Sequence, residues 1–268
     1  MTSEFLFPAA GVISLICAYL VWNCAGGKSK NAGRNIGLLL SAGIALSLIG
    51  LYQLEPVTEQ GIDFRLATSV AICIILIQGI YLVGLIHHGV RGLGIFLLPL
   101  TTLPLLLFPL LPDEPHVRIH TSSLIETSHL LISLIAYAIL TLATLHALMH
   151  QLLNRALKRK QLSRIMQALP SLLEIETHMY AQLRWAAWLL GIGILTGLGW
   201  QWVEMSHFAI LSHKVILALF SWGVLLLLLF MRRRAFWTGR RASMMVLAAY
   251  VLLLLAYFGV KLIQSFRI

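Results

Sequence analysis

Two histidines, His129 and His213, lie near the starts of two apolar segments that are predicted to begin on the same side of a membrane. Histidines at matching depths on separate helices are suited to holding one metal ion from opposite sides, as axial imidazoles hold a haem iron. Trp200 and Trp202 are placed to flank such a macrocycle, and Lys214 is placed to pair with a propionate. Because tryptophan belts and interfacial histidines are also ordinary features of membrane proteins, the residues alone leave both interpretations open.

Two further histidine pairs have the four-residue spacing that places side chains on one face of a helix. His116 and His120 follow prolines in an outer loop, which favours an irregular segment over a metal site. His146 and His150 lie in the segment that carries His129, about 25 to 32 Å from it at 1.5 Å per residue. They therefore belong to a different ligand set, and an interfacial position beside basic residues is favoured for them.

The composition places these histidines in a bilayer. Hydrophobic residues make up 59% of the sequence and charged residues 11%, with a mean hydropathy of +0.87, so a soluble domain would lack the interior for its apolar surface. Apolar runs near the roughly 20 residues that span a hydrocarbon core recur between short polar breaks. We predict a single all-α membrane domain that is polytopic, with eight transmembrane helices at about 5–22, 36–54, 66–86, 93–111, 125–150, 183–200, 213–231 and 243–263.

The distribution of charge predicts the orientation of these helices. Fifteen of the 20 lysines and arginines lie in or beside alternate breaks, which follow predicted helices one, three, five and seven. By the positive-inside rule these breaks are cytoplasmic, and both termini are extracytoplasmic. The net charge of +10 therefore reports orientation and contact with anionic membrane lipid, and it does not indicate a nucleic-acid partner.

The N-terminal segment and the cysteines suggest no further chemistry. The first apolar run lacks a basic region before it and a small-residue cleavage site, so we predict a mature helix rather than a signal peptide. Cys17, Cys24 and Cys73 form no CxxC pair and are predicted to be apolar filler. Any thiol chemistry would have to come from a partner protein.

Several residues bear on whether helices line a cavity or contact each other. Prolines recur every five residues in predicted helix four, at Pro99, Pro104 and Pro109, and are expected to kink or unwind its outward half. Gln78, at mid-depth in helix three, is expected to bond a neighbouring helix rather than line a cavity. Predicted helix six carries glycines that would admit another helix or a flat ligand to its outer half; these are Gly191, Gly193, Gly197 and Gly199.

Four segments of the second half, taken in order, resemble a known family. They are ETSHLLISLIAYAIL, SLLEIETHMYAQLRWAAWLLGIGILTG, HKVILALFSWGVLLLL and FWTGRRASMMVLAAYVLLLLAYFGVKLI. Together they resemble the CcsA/CcmC-like cytochrome c assembly family, most closely its YpjD-type inner-membrane branch. The resemblance covers roughly residues 126–263, and the first four helices match only in number and placement. Its most specific pieces are Ser128-His129 with Ser133 and Tyr137, Gly197, Lys214 with Trp222, residues 237–241 and residues 257–260.

The resemblance implies haem handling in cytochrome c maturation. In the family, the position matched by His129 is an extracytoplasmic haem ligand, so haem b held near the outer leaflet is expected here. The resemblance further implies a multi-pass protein of the bacterial cytoplasmic membrane that works with other assembly or membrane proteins and is no catalyst itself. Residues 1–124 then form an N-terminal four-helix part, and residues 125–268 form the cytochrome c assembly-like part.

The chain departs from the family pattern in two places. The family presents haem on a longer tryptophan-rich run, WxxxxWGxYWxWD, whereas only Trp200-Gln201-Trp202 stands here, without the aspartate. CcsA members also carry an outward histidine after the final helix, which this chain lacks. His213, beside Lys214, is the best substitute by position, and the other candidates are His120 and His207.

These departures keep two other functions open. In one of them, the branch retains the fold as a regulatory or scaffolding subunit that binds no haem, which the shortened aromatic run and the missing terminal histidine favour. A small-solute transporter is the weakest interpretation, because no inverted repeat relates the two halves and almost no ionisable residue lies at mid-membrane.

Overall fold

The structure is a computed structural model that describes residues 3–23, 30–58, 61–88, 91–111, 120–121, 123–160, 169–205, 213–233 and 239–255. Within these residues the chain forms eight α-helices and one 3₁₀ helix, Phe108–Leu110. The α-helices are α1 (Ser3–Asn23), α2 (Lys30–Gln53), α3 (Leu66–His88), α4 (Arg91–Leu106), α5 (Leu124–Lys158), α6 (Leu172–Met205), α7 (His213–Arg233) and α8 (Arg240–Leu254).

The helices confirm a helical, multi-pass membrane protein. Six of those described, α1 to α3 and α5 to α7, are long and apolar enough to cross a bilayer, and α4 is apolar but shorter. An α-helix satisfies its own backbone hydrogen bonds, which is why apolar runs of this length take that form in lipid. The total of eight crossings and the extracytoplasmic position of both termini stay predictions.

Two helices extend beyond their predicted ends. α5 continues past residue 150 to Lys158, and α6 begins at Leu172 rather than near residue 183. Hydropathy marks where the hydrocarbon ends, whereas a helix continues as long as packing supports it. Leu153 and Ile175 supply that packing, because both are buried in one apolar cluster. The basic segment between the two predicted helices is therefore helical up to Lys158, and residues 161–168 lie outside the described residues.

Three short strands were not predicted from the sequence. β1 (Val57–Thr58), β2 (Gly61–Asp63) and β3 (His120–Thr121) form an antiparallel sheet in which Asp63 pairs with His120. Strands of two or three residues are too short to show an alternating pattern. The Asp63 carboxylate is buried beside Arg65, with 3.4 Å between Oδ2 and Nε, and Arg65 Nη2 also donates to the Leu54 carbonyl at 2.8 Å. These contacts fix the loop between α2 and α3 against the segment before α5.

The first four helices pack around polar and small residues. Gln78 of α3 donates from Nε2 to Ser14 Oγ of α1 at 2.9 Å and to Thr101 Oγ1 of α4 at 3.0 Å. This confirms that Gln78 bonds neighbouring helices. The prolines act as predicted only in part: α4 runs through Pro99 and Pro104 and then gives way to the 3₁₀ helix that contains Pro109.

Helices α5 to α8 alternate in direction, and α5 lies at the centre of this half. His129, near the start of α5, meets Gly193 in the second half of α6, and His146 near the end of α5 meets His178 near the start of α6. α8 returns along α5, since Tyr137 OH donates to the Leu253 carbonyl at 3.0 Å. Most of the residues from Leu134 to Leu153 are buried, which makes α5 the central helix of this half.

Candidate functional site

His129 lies in the second turn of α5, where a capped helix start fixes its position. Ser123 is the N-cap residue, and its Oγ accepts a hydrogen bond from the backbone N–H of Ile125 at 3.2 Å. Such a cap satisfies a donor that the first turn leaves unpaired and sets where the helix begins. The His129 side chain is half-buried and turns toward α6.

Glycines on α6 admit the His129 ring. The ring packs so closely on Gly197 that a Cβ at that position would lie 2.7 Å from Cε1 of the imidazole, a distance that real side chains do not tolerate. One turn earlier, a Cβ on Gly193 would lie 3.2 Å from Ser133 Oγ of α5. The predicted close approach to the glycine-rich half of α6 is therefore made by His129 and α5 itself.

A hydrogen bond assigns the tautomer of His129. Its Nδ1 lies 2.7 Å from the carbonyl oxygen of Gly193, and a carbonyl oxygen can only accept, so Nδ1 carries the hydrogen. In a neutral imidazole this leaves a lone pair on Nε2. Metal-binding histidines are commonly held in this way, with the second ring nitrogen bonded to a carbonyl that fixes both tautomer and orientation. Thr196 Oγ1, 3.5 Å from Nδ1, lies beside the same carbonyl, to which it donates at 3.0 Å.

The two tryptophans lie in the last turns of α6, because the helix runs to Met205 and not only to Trp200 as predicted. Trp200 follows Gly197 by three residues, so its position lies on the helical face that His129 contacts. Trp202 is turned about 140° from Gly197 around the helix axis, at 100° per residue. With 56% of its surface exposed, Trp202 fits a position at the membrane surface, away from His129.

The candidates for a second ligand lie at the edge of what the structure describes. His213 is the first residue of α7, and Lys214 follows it, but only their backbone is described. His120 lies in β3, likewise with only its backbone described, and His207 lies outside the described residues. Within the described part of the chain, no group of three or more histidine, cysteine or carboxylate side chains is arranged to hold a metal ion. A second axial ligand therefore stays a prediction.

His146 and His150 are buried inside the protein, whereas their position at the level of the membrane surface stays a prediction. They are only 2% and 4% exposed, because α6 and α8 cover them. The ring centroids of His146 and His178 are 5.8 Å apart, and Ser243 of α8 lies 3.2 Å from Nδ1 of His150. Sequence reasoning missed His178, since no spacing rule links residues on separate helices. These side chains join the ends of three helices opposite His129.

Residues that carried the family resemblance connect the helices. Tyr137 joins α5 to α8, and Trp222 of α7 donates from Nε1 to the Ala187 carbonyl of α6 at 2.9 Å. Gly239 caps α8 with a φ of 69°, in the left-handed region that favours glycine. Among the described residues, Tyr137, Trp222 and Gly239 of the recognisable pattern therefore contribute to packing, whereas His129 is half-buried and keeps a lone pair on Nε2.

The comparison with known families agrees with this architecture. The sequence model of the family described as "Cytochrome C assembly protein" matches residues 37–267. The match starts in α2 and so extends well beyond residues 126–263, where the resemblance was visible by inspection. A search of curated proteins finds no match to this chain.

Proposed function

Because the chain belongs to the cytochrome c assembly protein family and so has a role in cytochrome c biogenesis, we propose that this role is haem handling. The protein holds haem b near the outer leaflet of the bacterial cytoplasmic membrane and assists its delivery to partner proteins. From its sequence pattern we further propose that it belongs to the YpjD-type branch. The observation that carries the proposal is the hydrogen bond from His129 Nδ1 to Gly193, which leaves Nε2 of a well-positioned imidazole to bind iron.

The chain's own residues would perform three tasks. His129 Nε2 would supply an axial ligand, with the Gly193 carbonyl fixing the ring. Gly197 would leave room for the imidazole between α5 and α6, and Trp200, on the same face of α6, would offer an aromatic surface. His213 is the proposed second ligand, and Lys214 is the proposed partner of a propionate. Haem is the cargo that this arrangement would hold, and no covalent step is assigned to the protein.

Absorption spectroscopy of the purified protein tests this proposal. Haem titrated into the wild type is expected to give a saturable Soret band, and His129→Ala is expected to weaken or abolish it. His87→Ala is the matched control, because His87 is an exposed histidine on α3 whose Nδ1 lies 3.1 Å from the Val83 carbonyl of the same helix. Identical spectra for the wild type and His129→Ala would contradict the ligand assignment.

A scaffolding or regulatory subunit is the second candidate function. It is favoured by the structural use of the family residues, since Tyr137 and Trp222 hold helices together, and by the short aromatic run around Trp200. This alternative predicts a pigment-free protein that co-purifies with another membrane protein. A stoichiometric haem content in gently purified material would rule against it.

A further inference from the structure

A groove runs between α6 and α7 on the side of α6 that faces away from His129. Its volume is about 940 Å³, and its walls are mostly apolar. Trp222 forms part of it, packed against Gly191 of α6, where a Cβ would lie 3.1 Å from the indole nitrogen. Trp188 and Leu195 on its rim are 72% and 70% exposed, so the groove opens toward the surroundings of the protein. In a membrane those surroundings are lipid.

One end of the groove is basic. Arg184 of α6 and Arg232 of α7 both line it, and the rest of the lining is apolar except for Thr177. Within the described residues, neither guanidinium forms an ion pair with a carboxylate. Glu176 lies near the Tyr180 ring that Arg232 contacts, but two guanidiniums against one carboxylate still leave a net positive charge at this end of the groove, which favours an anionic group.

A contact with Tyr180 orients one of these arginines. The guanidinium carbon of Arg232 lies 3.9 Å from the centroid of the Tyr180 ring. Attraction between the cation and the aromatic face holds the guanidinium near the ring, and a guanidinium held in this way can still donate N–H groups to an anion. The guanidinium of Arg232 is therefore better suited to bidentate binding of a phosphate than to packing against another aromatic or aliphatic side chain.

The length of the groove matches one lipid leaflet. Arg184 and Leu195 are eleven residues apart on α6, or about 16 Å at 1.5 Å per residue. Half of a hydrocarbon core of about 30 Å has this thickness. A ligand with a charged head at Arg184 and Arg232 would therefore extend its apolar part to the middle of the bilayer. Both arginines lie in the halves of α6 and α7 that the charge distribution predicts to be nearer the cytoplasm.

We propose that the groove between α6 and α7 is a binding site for an anionic phospholipid, with the phosphate on Arg184 and Arg232 and the acyl chains along the apolar walls. The site is separate from the His129 site, since Gly193 and Gly197 face α5 whereas Gly191 and Leu195 face the groove. A bound lipid would fill the space between two helices that make direct contact along only part of their length. The proposal does not depend on haem binding.

Native mass spectrometry of the detergent-solubilised full chain tests the proposal. Phosphatidylglycerol and phosphatidylcholine with identical acyl chains are offered as probes, and phosphatidylglycerol is expected to bind more tightly. A juxtamembrane cation contributes roughly fivefold in affinity for an anionic lipid, so Arg184→Gln and Arg232→Gln should each reduce that preference about fivefold and together about 25-fold. Arg232→Lys, which keeps the charge but not the planar group, should lose less.

The matched control is Arg241→Gln, because Arg241 is an exposed arginine near the same predicted membrane face that does not line the groove. It should leave the preference unchanged. An equal loss of the preference for phosphatidylglycerol in Arg241→Gln would mean that the lipid is attracted to the basic surface in general. An unchanged preference in the variant that lacks both Arg184 and Arg232 would mean that the lipid binds elsewhere. Either result would overturn the proposal. So would a second protein chain, or a pigment, that occupies the groove and excludes lipid. A circular dichroism melt of each variant separates lost lipid from lost folding.

Discussion

Gly197→Ala is the substitution that most directly tests how α6 positions His129. The added methyl carbon would lie 2.7 Å from Cε1, 3.0 Å from Nδ1 and 3.2 Å from Nε2 of the imidazole. Contacts between carbon atoms are comfortable only near 3.5 to 4.0 Å, so the ring has to move by roughly 1 Å. That movement breaks the 2.7 Å hydrogen bond between Nδ1 and the Gly193 carbonyl.

The expected change in the free energy of unfolding of Gly197→Ala combines two destabilising effects with one stabilising effect. Overpacking of a close contact destabilises by about 1–3 kcal/mol, and the lost hydrogen bond by about 1 kcal/mol. Alanine is favoured over glycine inside a helix by about 1 kcal/mol, which offsets part of this. We therefore expect the free energy of unfolding to fall by about 1–3 kcal/mol. Haem affinity is expected to fall about 10- to 100-fold, as it does when the group that orients a metal ligand is removed.

Gly199→Ala provides the control for this experiment. Gly199 lies two residues further along α6, and no heavy atom lies within 4 Å of a Cβ built there. The control variant should be neutral or slightly more stable, by up to about 1 kcal/mol, with unchanged haem affinity. Thermal unfolding in detergent gives the stability change, and titration of the Soret band gives the affinity. If Gly197→Ala behaved like Gly199→Ala in both assays, the packing of His129 against α6 would be refuted.

Three further substitutions test the contacts between helices. Gln78→Leu removes both hydrogen bonds from α3 to α1 and α4. Since such a bond contributes about 0.6 kcal/mol in a membrane, the free energy of unfolding should fall by about 1 kcal/mol. An unchanged melting temperature would contradict this. Tyr137→Phe deletes only the hydroxyl that joins α5 to α8. We expect the free energy of unfolding, measured by chemical denaturation, to fall by about 0.5–1.5 kcal/mol and haem binding to be unchanged. A loss of haem binding would mean that Tyr137 does more than join the two helices. Gly239→Ala forces a Cβ into the left-handed region and should destabilise the start of α8 by about 1 kcal/mol, which faster local hydrogen exchange near Gly239 would reveal.

The sequence was most informative where a single physical rule decides the outcome. Apolar run length predicted the membrane helices, since lipid leaves the backbone few alternatives. The mid-membrane position of Gln78 predicted a hydrogen bond to a neighbouring helix for the same reason. Helix ends outside the hydrocarbon were predicted less well: α5 and α6 continue because Leu153 and Ile175 pack there, a tertiary effect that no local pattern contains.

In the candidate site, too, the sequence predicted some features, and the others depend on contacts between distant parts of the chain. His129 was identified from its place in the chain and from the family resemblance, but its tautomer depends on the Gly193 carbonyl, 64 residues away. The glycines of α6 indicated a close approach without indicating which residue would make it. The sequence predicts a depth in the membrane for His146 and His150 from the basic residues nearby, but only the fold reveals that α6 and α8 bury them inside the protein.

The central claim, that Nε2 of His129 binds the haem iron, is tested most directly by imidazole rescue. His129→Gly removes the ligand and leaves space at the α5–α6 interface for a free imidazole. Absorption spectra of this variant with haem should lack the wild-type Soret band, and added imidazole should restore its position and intensity. A wild-type spectrum in His129→Gly without imidazole would contradict the claim, because the iron would then be held by other residues.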